Sequence, residues 1–168
     1  MERFAIVVDS SADLTQEQYD AMHIDGFIPL SFSIDGKEYL SYPDERELTA
    51  EELYATLRNT KAVVGTALGI KPIIDLNSEG KLITQEKVRG KNNVYAALAR
   101  HLEDADNLDV IYITHAGAPE EAKKLAETIK KNYKVGEIRY SSIGPVVGCH
   151  TGPGTIAVVF FGTRSDAK

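Results

Sequence analysis

The chain has 168 residues, 43% hydrophobic and 26% charged, a balance that suits one ordinary globular domain or two small ones and excludes a wholly disordered chain. Its 19 basic and 25 acidic residues leave a net charge of −6, and the basic ones are scattered, which argues against a nucleic-acid binder. The single cysteine, Cys149, excludes an intrachain disulfide and a cysteine-built zinc site and fits a reducing compartment. No apolar run is long enough to span a bilayer, and the opening MERFAIVVDSSAD differs from a signal peptide in charge pattern and run length, so the sequence reads as cytoplasmic.

In chain order, Phe4 to Val8 is a short β-branched apolar run ending at Asp9, Ser10 and Ser11, the pattern of a buried strand whose end opens into a loop. Thr15 with Gln18 forms a capping-box pattern for a helix over Gln16 to Met22, and Phe27 to Phe32 reads as a second strand. Asp35-Gly36 between two alternating runs is a hairpin signal. Thr49 and Glu52 cap a helix through Leu57, after which RNTKAVVGTALG has no clean period and marks a boundary. A second hairpin follows, Ile70 to Leu76 and Lys81 to Val88 around Asn77–Gly80. Asn92 to Leu102 has amphipathic helical spacing, Leu108 to Thr114 is a strand, and Pro119 to Tyr133 a helix with proline in its first turn. Val135 to Ser141 and Thr155 to Phe161 are the last strands, and the tail GTRSDAK reads as disordered.

Between those last strands lies SIGPVVGCHTGPG, Ser142 to Gly154, with four glycines and two prolines around one histidine. Glycine disfavours regular structure, and Pro145 and Pro153 fix their own φ, so the segment predicts a stiff, shaped loop. Such a loop offers convergent N–H donors to an anion, with His150 and Thr151 adding an imidazole and a hydroxyl. The alternative is a structural turn whose histidine is satisfied by a carbonyl.

Asp9-Ser10-Ser11, Thr114-His115 and His150-Thr151 all fall at predicted strand ends, where they could share one site. A hydrolase using Ser10 or Ser11 with His115 or His150 is conceivable, but no GxSxG elbow is present. GTALGIK and GCHTGPG fit neither a phosphate-binding loop nor a dinucleotide fingerprint, and no metal-ligand spacing links the histidines. Lys87, Arg89 and Lys91 alternate around Gly90 so that all three point to one side; Arg89 could pair a carboxylate or phosphate, or the group could be a solvated face.

The stretches IVVDSSADL, IDGKEY, LGIKPII, EKVRG and SIGPVVGCHTGPGTIAVVF, in this order along nearly the whole chain, resemble the DegV family of bacterial fatty-acid-binding proteins. The resemblance implies a two-domain α/β fold in which a long-chain fatty acid lies at the interface with its carboxylate near the loop histidine. It implies a binding protein without catalysis or cofactor, and, for some members, a soluble fatty-acid kinase as partner in phospholipid synthesis. Carried onto this chain, the ligand set is His150, Thr151 and Gly152 of the glycine-rich stretch with Asp9, Ser10, Ser11, Arg89 and His115. The chain departs from the family after Leu57, where it jumps to the segment that normally begins the second domain. The family's threonine-serine-glutamine and serine-glycine motifs, which help hold the carboxylate, are missing, and no motif around Thr60 replaces them. Cys149 stands where threonine is common. The expected organisation is a truncated first-domain fragment, 1–60, and a complete C-terminal α/β domain, 61–168. The runner-up reading is a shortened remnant or engineered deletion that folds and self-associates, as a homo-oligomer, without binding lipid.

Overall fold

The computed structural model describes residues 4–59 and 69–162. Strand β1 (Val7–Asp9) begins later than the apolar run suggests, because the Ile6 N–H donates to the Asp25 carboxylate at 2.9 Å instead of to a ladder. It ends where Asp9 Oδ1 accepts the Ser11 N–H at 2.8 Å and turns the chain into a 3₁₀ turn over Ser10–Ala12. Helix α1 (Gln16–Ala21) follows with the predicted capping box: the Gln18 N–H donates to Thr15 Oγ1 and the Thr15 N–H to Gln18 Oε1.

The single strand expected over Phe27–Phe32 is two. Pro29 has no N–H to continue a ladder, so β2 (Gly26–Ile28) pairs in parallel with β1, and β3 (Ser31–Ile34) turns to pair with β4 (Lys37–Leu40). The β3–β4 hairpin has positive φ at both Asp35 and Gly36, the conformation its two-residue turn requires. Phe32 and Tyr39 face each other across it with ring centroids 5.5 Å apart. Helix α2 (Ala50–Asn59) starts from the Thr49–Glu52 box, whose two backbone bonds measure 3.2 and 3.0 Å. The expected boundary and Thr60 lie outside the described residues.

The second hairpin pairs β5 (Ile70–Leu76) with β6 (Leu82–Arg89), with a bulge between Ile73 and Ile74. Gly90, at φ +87°, ends β6 and leads into α3 (Lys91–Arg100) and a 3₁₀ turn over His101–Asp104. That corrects the expectation of three basic side chains on one side of a strand: Lys91 is helical and pairs with Glu121 at 2.6 Å. Strand β7 (Val110–His115), helix α4 (Pro119–Asn132), β8 (Glu137–Ser142), α5 (Pro145–Thr151) and β9 (Ile156–Val159) complete the chain. Strand β7 is central, parallel to β8 and antiparallel to β9. All but the first residue of the expected tail lies outside the described residues.

Among the described residues, two buried clusters hold these elements. In one, Ile111 and Ile113 of β7 pack against Leu125 and Ile129 of α4, all fully buried. The other gathers Ile34, Leu53 and Tyr54 from the N-terminal portion with Ala116 and Ile143 from the C-terminal one. Across it the Tyr54 hydroxyl donates to the Ile143 carbonyl at 2.5 Å. The β1–β2 pair is less well covered. Parallel strands ordinarily sit inside larger sheets, yet Val7 and Ile28, on one face, are 58% and 54% exposed. The expectation of a buried first strand therefore fails on that face.

Candidate functional site

The glycine-rich stretch is not a loop throughout. Pro145 opens α5, where a missing N–H is tolerated, and Gly148 lies inside it, helical despite its propensity. The reason is contact. A Cβ on Gly148 would stand 2.2 Å from the Tyr54 hydroxyl, and one on Gly144 would stand 1.9 Å from Asp13 Oδ1. These two glycines allow α5 to seat against α2 and against the turn after β1. Only Gly152 and Gly154, with φ of +80° and +86°, serve the turn that the sequence suggests for all four.

His150 and Thr151 occupy the last turn of α5, both exposed. The Thr151 hydroxyl donates to the Val147 carbonyl at 3.2 Å, and the His150 side chain has no hydrogen-bond or ionic partner among the described residues. The Gly152 N–H donates to the Gly148 carbonyl. At the opposite end of α5, Ser10, Asp13 and Gly144 share the wall of a cavity of about 130 Å³, together with Phe32, Ser41 and Ser142. Ser10 is buried, and its Oγ accepts the Leu30 N–H at 3.0 Å. Asp9 and Ser11 are exposed and bonded to each other, which holds the Asp9 carboxyl below its usual range.

His115 ends β7. Its carbonyl accepts the Ile143 N–H at 2.9 Å, its Nδ1 accepts the Ala118 N–H at 3.3 Å, and burial lowers its pKa, which favours the neutral ring that an accepting Nδ1 requires. Arg89 stands apart, at the end of β6 opposite Ile70. The structure thus joins Ser10 to the start of α5 and His115 to the end of β8, while His150, Thr151 and Gly152 lie at the other end of α5. Neither serine pairs with an imidazole among the described residues, so the hydrolase arrangement is not assembled; those residues also hold no cluster of metal-ligand side chains.

Sequence reasoning missed Asp13 and Tyr54. Asp13 adopts φ +50° directly after the 3₁₀ turn, a conformation Asp tolerates better than most residues. Burial raises its pKa although the Gly144 N–H favours the ionised form. The second carboxylate of DSSAD was a faint signal; nothing local points to Tyr54.

The geometry defines a mixed α/β protein with a hydroxyl-lined cavity where its N-terminal and C-terminal portions meet. A family profile described as "Uncharacterised protein, DegV family" matches residues 3–63 and 56–163, in two stretches that overlap from the last turn of α2 onward. The chain belongs to the DegV family. It is 38% identical over 113 residues to a DegV domain-containing protein of Clostridium perfringens and 40% over 103 residues to one of Clostridium acetobutylicum, covering 66% and 60% of this chain. Only 39% and 35% of those proteins are covered, so the chain spans between a third and two-fifths of their length. Among solved structures, a DegV lipid-binding protein of Thermotoga maritima has a TM-score of 0.68 at 17% identity, covering 94% of this chain and 97% of that one. A DegV family protein of Eubacterium eligens loaded with heptadecanoic acid has a TM-score of 0.70 at 14% identity, covering 96% and 100%. The fatty-acid-binding DegV family protein of Streptococcus agalactiae is 32% identical with a TM-score of 0.50, over 60% of this chain and 36% of that one.

Proposed function

We propose that this chain is a shortened DegV-type carrier that binds a long-chain fatty acid in the bacterial cytoplasm and presents its carboxylate to a fatty-acid kinase for phospholipid synthesis. The observation that carries this reading is the 32% identity to the Streptococcus agalactiae fatty-acid-binding protein. In this reading His150, Thr151 and Gly152 form the head-group end of α5, with Ser10, Asp9 and Ser11 on the turn at its opposite end, His115 on that turn's side of the sheet, and Arg89, which stands apart from both, as the remaining polar group of the set. The chain contributes no catalysis; the hydroxyls of Ser10 and Ser11 serve structure. The proposed division is a first-domain fragment, 1–60, and a C-terminal domain, 61–168, consistent with a family match in two stretches.

A second reading has its own observation. Phe4, Val7, Ile28 and Phe161 are between 54% and 80% exposed, Val7 and Ile28 on one face of the β1–β2 pair, and exposed apolar surface is what an associating partner covers. The alternative is a remnant that self-associates and binds no lipid. Native mass spectrometry on protein purified without detergent separates the two: a co-purifying fatty-acid mass supports the carrier, and a ligand-free dimer or larger assembly supports the remnant. A ligand-free monomer at every concentration would sink both.

A further inference from the structure

The β5–β6 hairpin packs against the rest of the chain on one face and leaves the other bare. Gln85 has no partner across the ladder, because Ile74 lies opposite Thr84 and Ile73 opposite Glu86. That extra residue keeps the two halves of β6 in phase. Leu82, Thr84, Lys87 and Arg89 therefore share the outer face with Ile74 and Leu76, while Ile73, Ile83 and Val88 turn inward towards α3. Burial follows the division: Ile73 is buried and Ile83 and Val88 half-buried, whereas Ile74, Leu76 and Leu82 are 51%, 39% and 71% exposed. The outer face is apolar near the turn and cationic at the base, and it carries no carboxylate. Asp75 and Glu86 lie on the inner face, where Glu86 pairs with Arg100 at 2.9 Å, and Glu79 in the turn pairs with Lys81 at 2.7 Å. Lys87 and Arg89 have no ionic partner among the described residues.

The edges, size and charge of this face narrow what can cover it. Pro72 has no N–H to offer, and the bulge breaks the line of β6, so neither edge suits the addition of another strand. The outward side chains of two short strands fall far below the roughly 20–30 residues a side of a stable protein interface, and a second copy would bring the same two cations and no carboxylate. A lipid surface needs no complementary shape. It takes apolar side chains into the acyl boundary and offers phosphates to the cations beside them. The charge of −6 on the whole chain opposes this only weakly, because at physiological salt exposed charges more than about 8 Å away are largely screened.

We propose that the outer face of the β5–β6 hairpin docks the protein on an anionic phospholipid bilayer, with Ile74, Leu76 and Leu82 entering the acyl boundary and Lys87 and Arg89 meeting lipid phosphates. The docking needs no bound fatty acid, so it stands or falls apart from the fatty-acid reading.

The test is co-sedimentation of the whole chain with vesicles of phosphatidylglycerol and phosphatidylcholine in equal parts, or of phosphatidylcholine alone, at about 0.1 M salt. The natural chain should bind the mixed vesicles and bind phosphatidylcholine far more weakly. A cation near an anionic surface is worth about fivefold, so Lys87→Gln with Arg89→Gln should weaken binding to the mixed vesicles about twenty- to thirtyfold. Lys130→Gln with Lys131→Gln, the same charge change at exposed positions of α4, should weaken it by less than about threefold. Leu82→Ser should cost about fivefold or more. All five positions are exposed, so the thermal midpoints should hold. No binding to the mixed vesicles, an equal loss in the α4 pair, or unchanged binding in Leu82→Ser overturns the proposal. So does an assembly in solution that Leu82→Ser dissolves while vesicles stay unbound, because the face would then be a protein interface. Vesicle binding as expected, with no fatty-acid mass on the purified chain, leaves the docking in place and sinks the carrier.

Discussion

Replacing Tyr54 by Phe tests whether the N-terminal and C-terminal portions form one cooperative unit. Tyr54 is 1% exposed, and its hydroxyl bonds the carbonyl of Ile143, itself 5% exposed and 89 residues away in sequence. The substitution keeps the ring and its packing, against Gly148, but leaves that buried carbonyl without its side-chain donor. A buried acceptor stripped of its partner costs about 1–3 kcal/mol. For a chain of this size each kcal/mol moves the thermal midpoint by about 2–4 °C, so a fall of about 2–12 °C follows. Calorimetry on both proteins at one pH is the measurement, with urea denaturation as a check on the slope. Tyr54→Ala should cost more, about 3–5 kcal/mol, because it also removes the ring from the shared core. A midpoint within about 1 °C of the natural chain, or two separate melting steps of which only one moves, would refute the reasoning, because the two portions would then not be coupled through this bond.

The head-group assignment predicts that His150→Ala weakens a fatty acid about ten- to a hundredfold, the loss of a hydrogen bond to a charged group worth roughly 1.5–3 kcal/mol, and leaves the matching fatty alcohol unaffected. His150 is exposed at the end of α5, so the thermal midpoint should hold; titration calorimetry showing equal losses for acid and alcohol would make the residue structural. His115 predicts a pH effect of definite sign. Its folded-state pKa is lowered by burial, so below the ordinary histidine value the unfolded chain takes up the proton first and stability falls as pH falls through the folded pKa. Urea midpoints from pH 8 to pH 5 should drop less in His115→Gln than in the natural chain, and parallel curves would contradict the neutral-ring role.

The features legible in the sequence are those whose cause is a few residues wide. The Thr15–Gln18 and Thr49–Glu52 boxes, the Asp35-Gly36 turn and the proline start of α4 all stand where the sequence puts them, because each is satisfied by backbone groups within four residues. The family resemblance was legible as well, carried by ordered motifs rather than by any single residue. What local pattern could not supply was partnership. Pro29 splits one apolar run between two different sheets, and which strand each half joins depends on chain far away. The glycines of Ser142–Gly154 read as loop residues, yet Gly144 and Gly148 are there because Asp13 and Tyr54 press against them, and those contacts exist only once α5 docks. The cavity is likewise assembled from the turn after β1, the loop before α2 and the start of α5. A side chain's nearest neighbours in space are set by packing across long sequence separations, and periodicity along the chain carries no record of them.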